Sequence, residues 1–228
     1  MIAADQSAGS PPLTGYTLAL NYLPLAQLLA GAAIVSTQAT SPGTVIACSL
    51  AWIYLVPPLV CRLVLLAFGT PHGRALTQHD RAYKVWWFTY QWQVLFNRLP
   101  WLDEILRLVP GLYALWIRLW GGRVSLFSFW APGALVVDRP LVVVEAGAVI
   151  GAGAGVSGHS GTLAPDGSYR IDIGTAHVGR GAIMGVRSGL AAGELAPGQM
   201  LPAGRMIKPF TRWDGTRKRA LGSGDDDA

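Results

Sequence analysis

The feature that most constrains this chain is a recurrence of an aliphatic residue, a glycine and a small residue about every six positions between Val143 and Gly204. A period near six fits neither a helix nor the alternation of a hairpin sheet. It is typical of a β-solenoid, in which each short strand ends in a tight turn. Aliphatic side chains then stack inward, and glycine permits the corners. The pattern predicts several coils that together bury one continuous core.

The composition indicates a membrane rather than a nucleic acid as the partner. The 228 residues are 51% hydrophobic and only 14% charged, against about a quarter charged in an average soluble domain. The net charge is +5, but the basic residues form no stripe on a polar face, so nucleic-acid binding is not expected. Membrane phosphates or an anionic cofactor fit the charge better. Cys48 and Cys61 lie in apolar sequence without a Cys/His cluster, so we expect neither a metal site nor a disulfide framework.

An uncharged segment runs from Gln6 to Cys61. It is long enough for two membrane helices of about 20 residues each, which we predict over 16–36 and 45–68. The turn signal at 40–44 separates them. The alternative is a helical hairpin buried in a soluble core, although such hairpins normally carry charges on one face.

Arg62 lies near the end of the second apolar segment, and Arg74, Arg81 and Lys84 follow it. By the positive-inside rule they place this end of the hairpin in the cytoplasm. We therefore predict a multi-pass protein of the cell inner membrane, with the rest of the chain on the cytoplasmic side.

The segment 79–122 is rich in tryptophan and arginine. Tryptophan favours the headgroup depth of a membrane, and arginine reaches towards phosphates. We interpret the segment as amphipathic helices lying on the membrane surface. The alternative is that these helices pack on the solenoid, which the pattern alone does not exclude.

These boundaries divide the chain into five predicted segments. They are a flexible N-terminus (1–12), a transmembrane helical hairpin (13–70), interfacial amphipathic helices (71–122), a short parallel β-helix (123–207), and a basic extension with an acidic tail (208–228). The predicted fold class is thus mixed α and β.

Three stretches beside the repeat carry a resemblance to a known family. They are Pro110-Gly111-Leu112-Tyr113, Arg118-Leu119-Trp120 and Trp130-Ala131-Pro132-Gly133. From residue 108 onward the chain resembles membrane-associated hexapeptide-repeat acyltransferases, and is similar to the acyltransferase-like modules of polylysine-synthetase-type peptide synthetases. The resemblance implies a left-handed β-helix, an acyl-CoA or a phosphopantetheine-carried acyl donor, and a homo-oligomer, with a trimer favoured.

The resemblance also implies a catalytic histidine. In such enzymes a Gly-His or Thr-His step precedes an insert. Here Gly158-His159 precedes a polar insert that lasts until Arg170. His159 is therefore expected to be the general base, since an imidazole titrates near neutral pH. His177 is a secondary candidate, for which the alternative is an ordinary corner histidine.

Several acids lie near His159 in sequence and could orient its imidazole. They are Glu145, Asp166 and Asp172, and Asp172 is our candidate, although a backbone carbonyl would serve equally. Asp138 is interpreted as a turn residue.

The donor groove implied by the resemblance needs small residues and cations. The residues that fit are Arg180, Gly181, Ala182, Gly185, Arg187, Ser188 and Arg205, with the arginines matching phosphate oxygens. The alternative is that glycine and alanine here only satisfy coil geometry.

Together these features predict a bacterial, membrane-anchored acyltransferase that acylates a hydroxyl or amine of a hydrophobic or membrane-linked acceptor. A membrane lipid and a carrier protein are the expected partners. The alternative is a non-catalytic membrane scaffold, or a carrier-protein-binding assembly module built on the solenoid.

Overall fold

The computed structural model describes residues 14–216 and 218–221, and its N-terminal half is helical. The predicted flexible N-terminus and most of the predicted acidic tail therefore lie outside the described residues. The helices are α1 (Gly15–Leu20), α2 (Leu23–Gln38), α3 (Pro42–Phe68), α4 (Arg81–Arg98), α5 (Trp101–Arg107) and α6 (Leu112–Trp120).

Two helical segments are long and apolar enough to cross a membrane, as the sequence predicts. They are Gly15–Gln38, which comprises α1 and α2, and Pro42–Phe68, which is α3. A capping box starts α3, because the Ser41 side chain accepts from the Thr44 backbone N–H while Thr44 reaches back to Ser41. The helix then continues through Pro57 and Pro58. In the most apolar 18-residue stretch of each segment, only 11% and 22% of the stretch is buried inside the protein. Most of the apolar surface of these helices therefore faces outward.

The C-terminal half is built from short strands. They are β1 (Gly73–Leu76), β2 (Arg123–Val124), β3 (Phe129–Trp130), β4 (Leu135–Val136), β5 (Val142–Val144), β6 (Val149–Ile150), β7 (Gly155–Ser157), β8 (His159–Leu163), β9 (Tyr169–Ile173), β10 (Ala176–Val178), β11 (Ile183–Met184), β12 (Gly189–Ala191), β13 (Glu194–Leu195), β14 (Met200–Leu201), β15 (Met206–Ile207), β16 (Thr211–Trp213) and β17 (Lys218–Ala220).

Thirteen of these strands form a three-sided solenoid of parallel strands. The first face contains β2, β5, β10, β13 and β16, the second β3, β6, β11 and β14, and the third β4, β7, β12 and β15. Each successive coil adds one strand to each face, and the pairing between coils is parallel. The mixed α/β fold class and the stack of coils are thus as the sequence predicts, while the left-handed sense of the coil stays a prediction.

The six-residue recurrence is the spacing between inward-facing residues. Val144, Ile150 and Val156 lie six positions apart on the three faces of one coil, and each is at most 1% exposed. At the corners the chain needs left-handed backbone. Gly147 and Gly181 have φ of 75° and 63°, and they stack on each other in adjacent coils. Glycine adopts this conformation without the strain that a side chain would cause.

One corner of the solenoid opens into a hairpin. Between β7 and β10, β8 and β9 pair antiparallel, and β9 also pairs with β1, which lies between α3 and α4. This three-stranded sheet ties the end of the apolar hairpin to the solenoid. At the other end the stack continues to Trp213 on β16, beyond the boundary predicted at 207, and β17 adds an antiparallel strand.

Helices α4 and α6 pack against the rest of the protein through their aromatic residues. Trp86, Trp116 and Trp120 are 3%, 4% and 0% exposed. For these three residues the interfacial interpretation is replaced by the alternative of packing, because their rings lie in the protein core. Trp101 is 55% exposed, so its ring is accessible to a membrane surface, and the interfacial interpretation stays a prediction for this residue.

Candidate functional site

The site is centred on His159, which begins the hairpin at the corner between the third face and the first. The preceding Gly158 has no room for a side chain, because a Cβ atom there would collide with Leu141. The backbone of Gly158 therefore passes close to Leu141, and the chain leaves the coil directly after it. The His159 side chain is 20% exposed, so it lies mostly inside the protein but remains reachable.

Asp138 lies one coil below, at the same corner. Val136 on β4 pairs with Val156 on β7, so Asp138 and Gly158, two positions later in each coil, are neighbours, and His159 directly follows Gly158. Adjacent strands lie about 4.8 Å apart, which brings the Asp138 carboxylate to the His159 ring. The distance from Asp138 Oδ2 to His159 Nδ1 is 2.6 Å.

Asp138 is 1% exposed, and its carboxylate is fully surrounded by donors. Oδ2 also accepts from the Gly158 backbone N–H at 2.8 Å and from the Ser157 hydroxyl at 3.0 Å. Oδ1 accepts from Trp86 Nε1 at 2.9 Å. A buried carboxylate needs this many partners to remain ionised.

Aromatic rings of α4 form the wall beside the imidazole. The Trp86 ring centroid lies 4.7 Å from that of His159, and Tyr90 makes an edge contact at 5.6 Å. Trp86 therefore contacts both members of the pair, the histidine by its ring and the aspartate by its indole N–H.

The electrostatics of the pair favour an ionised Asp138. Burial acts to raise the pKa of Asp138, but the charge of His159 and the hydrogen bonds from His159, Trp86 and Ser157 outweigh it and hold that pKa below its ordinary value. Burial acts to lower the pKa of His159, but the charge of Asp138 and its hydrogen bond outweigh that effect and raise it. Each group therefore stabilises the charged form of the other.

This geometry fixes the tautomer of neutral His159. An ionised carboxylate only accepts hydrogen bonds, so Nδ1 must carry the proton. Nε2 then presents a lone pair, and it has no hydrogen-bond partner among the described residues. The pair can take a proton from a group that approaches Nε2, with Asp138 stabilising the imidazolium that forms.

The orienting acid is thus Asp138 rather than the candidate Asp172. In the hairpin, His159 pairs with Ile173 and Ser160 pairs with Asp172. Because successive side chains on a strand point to opposite faces, Asp172 lies on the opposite face from His159. Its Oδ1 accepts instead from the Ala75 backbone N–H at 2.8 Å.

His177, the secondary candidate, lies apart from this pair, on the outer side of the first face. Its Nε2 is 3.0 Å from Glu145 Oε1. It borders an open groove of about 580 Å³ that Arg123 and Glu194 also line. Of the other two acids considered, Glu145 thus partners His177, while Asp166 accepts from Ser168 in the hairpin turn.

The predicted donor-binding residues lie at the two other corners. Arg180, Gly181 and Ala182 are between β10 and β11, while Gly185, Arg187 and Ser188 are between β11 and β12, with Arg205 one coil further on. The three arginines are exposed. Within one chain these residues do not share the corner that carries His159.

Sequence reasoning missed Asp138 and Trp86. The coil length could have indicated Asp138, because Val136 and Val156 occupy equivalent positions in successive coils. Asp138 and the Gly158-His159 step then follow them at the same corner. Trp86 carried no such signal, because it lies on a helix outside the repeat. Among the described residues there is no group of three or more metal-binding side chains.

The fold and the site define a parallel β-solenoid with a buried His–Asp pair at one corner. Among solved structures, the chain is similar to a serine acetyltransferase of Neisseria gonorrhoeae, with 14% identity over 91% of this chain and 79% of that chain, at a TM-score of 0.21. It is also similar to the complex of that enzyme with serine, with 13% identity over 86% of this chain and 82% of that chain, at a TM-score of 0.21. No family model matches the chain, and no curated protein matches it. At such TM-scores these likenesses carry no weight for function.

Proposed function

We propose that this protein is a membrane-anchored acyltransferase in which His159 is the general base and Asp138 orients it. The observation that carries the proposal is the 2.6 Å contact between His159 Nδ1 and Asp138 Oδ2, with Nε2 left for a substrate. A buried His–carboxylate pair at a partly open corner is an arrangement suited to proton abstraction from an acceptor.

The proposed reaction starts from an acyl thioester, on coenzyme A or on a carrier protein. Nε2 of His159 takes the proton of the acceptor hydroxyl or amine as its oxygen or nitrogen attacks the thioester carbonyl carbon. The C–S bond then breaks, and the proton leaves His159 for the departing thiolate. Asp138 keeps its negative charge throughout and stabilises the protonated imidazole.

Membrane anchoring is part of the proposal. The core helix of a soluble protein is mostly buried, whereas the most apolar windows of Gly15–Gln38 and Pro42–Phe68 are 11% and 22% buried. Placing both in a bilayer removes their exposed apolar surface from water. The anchor would concentrate a hydrophobic or lipid-linked acceptor near His159. A cytoplasmic orientation follows from the basic residues after α3.

We further propose a homo-oligomer, with a trimer favoured. The exposed arginines at the other two corners are suited to the phosphates of a donor, but they are not at the His159 corner of the same chain. A second copy packed at that corner would supply its own arginines to the site. Mass measurement in detergent tests this arrangement, and a monomer at all concentrations would contradict it.

The experiment that tests the function compares His159→Asn and Asp138→Asn with wild type in proteoliposomes of bacterial inner-membrane lipid. Labelled acyl-CoA of several chain lengths is supplied, and both thiol release and lipid acylation are measured. Loss of a general base lowers the rate by about 10²–10⁴-fold. His79→Asn is the matched control, because His79 is exposed and forms no hydrogen bond or ring contact with His159 or Asp138 among the described residues.

Two results would count against this assignment. If His177→Asn abolishes transfer while His159→Asn does not, the base is wrongly chosen. If wild type consumes no thioester of any length, the non-catalytic scaffold or carrier-binding module becomes the better description.

A further inference from the structure

A pocket of about 320 Å³ lies where α1, α3 and α4 meet, at the end of the apolar hairpin. Its walls are largely apolar and include Val64 and Phe68 of α3 and Val85 and Phe88 of α4. Tyr16 of α1 lines it as well, and its hydroxyl donates to the Lys84 backbone carbonyl at 2.9 Å. That bond holds the two helices together at the pocket.

Two cations, Arg81 and Lys84, also line this apolar pocket. Neither forms an ion pair within the described part of the chain. The guanidinium of Arg81 donates to the Phe68 carbonyl at 3.3 Å, and the ammonium of Lys84 has no polar partner among the described residues. The neighbouring acid, Asp80, is engaged by the backbone and hydroxyl of Thr77 at 2.7 and 2.8 Å.

The position of these cations on α4 is compensated only in part. Both lie in the first turns of the helix, whose N-cap residue is Asp80 and whose first turn has no acidic residue. The N-terminal end of a helix carries a partial positive charge, so cations there are repelled and an anion is attracted. An anion between Arg81 and Lys84 would relieve this repulsion.

The pocket is also separate from the His–Asp site. Residues Arg81, Lys84, Val85 and Phe88 face the pocket, whereas Trp86 of the same helix contacts His159. Helix α4 therefore has one face towards the apolar hairpin and another towards the candidate active site.

We propose that this pocket binds an anionic phospholipid, with a phosphodiester headgroup between Arg81 and Lys84 and acyl-chain carbons against the apolar walls. The chemistry requires one ligand that is apolar along most of its length and negatively charged at one end. A bilayer lipid beside α3 has both properties. The site shares the membrane placement of α2 and α3 with the proposed function, but it does not depend on acyl transfer.

The test uses the full-length protein in nanodiscs, followed by release into mild detergent and native mass spectrometry. The probes are dioleoyl phosphatidylglycerol and dioleoyl phosphatidylcholine. Each Lys or Arg near an anionic lipid surface contributes about fivefold in affinity. The double variant Arg81→Gln/Lys84→Gln should therefore bind phosphatidylglycerol about thirtyfold more weakly.

The matched control is Arg98→Gln/Arg123→Gln, which removes the same charge at two exposed positions outside the pocket. A third variant, Val85→Trp, fills the pocket and leaves both cations in place. Thermal unfolding of each variant in detergent checks that it has folded. We expect weaker phosphatidylglycerol binding with the first and third variants and unchanged binding with the control.

Three results would overturn the proposal. They are equal losses in the two double variants, equal retention of phosphatidylcholine, or displacement of the lipid by glycerol 3-phosphate alone, which would identify a free phosphate as the ligand. Failure of the wild type to enter nanodiscs would be a different outcome, because it would contradict the membrane anchor in the proposed function as well.

Discussion

At the scale of residues, three separate parts of the chain meet at His159. The histidine comes from the hairpin corner, Asp138 from the coil below it, and Trp86 from a helix before the solenoid. The indole N–H of Trp86 donates to Asp138 at 2.9 Å. Helix α4 therefore helps to keep Asp138 ionised, and in the proposed function Trp86 is a positioning residue.

The pair links stability and activity to pH in opposite directions. The folded pKa of His159 is raised, so its contribution to stability is fully present below the unfolded value of about 6.5. That contribution is lost as pH rises through the folded pKa. The folded pKa of Asp138 is lowered, so its contribution is lost as pH falls through that folded value. A base must be neutral, so activity should rise with pH over the window in which the His159 contribution disappears.

Trp86→Phe should shift this balance. Asp138 loses one donor, its negative charge is less compensated, and it stabilises the protonated imidazole more strongly. The acidic limb of kcat/KM should therefore move to higher pH, and NMR titration of His159 should show the same direction. Weakening a hydrogen bond to a buried carboxylate should also lower the free energy of unfolding by about 1–3 kcal/mol.

Trp87→Phe is the control for this substitution. Trp87 lies next on the same helix, and its ring stacks on Tyr83 and Tyr90. Its indole N–H has no hydrogen-bond partner within the described residues. An equal shift of the pH profile in Trp87→Phe would mean that ring packing, rather than the bond to Asp138, sets the pKa.

Part of this site could be predicted from the sequence, and part could not. The Gly-His step at the break in the repeat, together with the family resemblance, predicts His159 as the base, and the structure places a carboxylate beside it. Closeness along the chain favours Asp172 as its acid, whereas the strand alternation of the hairpin places the two side chains on opposite faces. Asp138 is 21 positions away from His159, yet one coil of the solenoid makes them neighbours.

At the scale of elements, a buried ion pair joins the helices to the solenoid. Arg139 follows β4, is 0% exposed, and donates to Asp103 of α5 at 2.8 Å. It also donates to Asn97 of α4 at 2.9 Å, and its guanidinium lies against the rings of Phe96 and Trp116. The six-residue period predicts the coils, but it contains no information about where these helices dock on them. That docking depends on single buried polar contacts between distant segments.

Breaking this ion pair should destabilise the protein strongly. Asp103→Asn leaves the buried Arg139 guanidinium without a carboxylate partner, at a cost of about 3–5 kcal/mol. Arg139→Met should cost less, because Asp103 still faces Arg107 at 3.9 Å and accepts from the Tyr113 hydroxyl at 2.9 Å. The double variant Arg139→Met/Asp103→Leu removes both charges and should recover much of that loss. Denaturation in detergent, followed by tryptophan fluorescence, measures the three values.

The exposed pair Arg170–Asp166, at 3.6 Å, is the comparison for this prediction. Asp166→Asn should cost less than about 1 kcal/mol, because solvent screens an exposed pair. A cost for Asp103→Asn as small as that for Asp166→Asn would contradict a docking role for the buried pair.

At the scale of the whole molecule, an apolar helical hairpin and a β-solenoid are joined on one side. The small sheet of β1, β8 and β9 and the helices α4–α6 both lie at this junction. The absence of charge in the sequence of the hairpin is sufficient to predict two long helices, since few other structures accommodate so many consecutive apolar residues. The sequence also predicts the solenoid, but β1 is too short and too irregular to be recognised as a strand. The tie between the two parts is therefore visible only in the structure.

This arrangement makes a definite prediction about membrane topology. The link between α2 and α3 contains Thr40, and the far end of the solenoid contains Thr216, and both residues are exposed. Since α3 leads directly to the solenoid side, Thr40 should lie on the opposite side of the membrane. In a Cys48→Ser/Cys61→Ser background, Thr40→Cys should react with a membrane-impermeant maleimide in intact spheroplasts. Thr216→Cys should react only after the membrane is opened. Reaction of both cysteines in intact spheroplasts, or recovery of the protein in the soluble fraction, would rule out a hairpin that crosses the membrane with the solenoid in the cytoplasm.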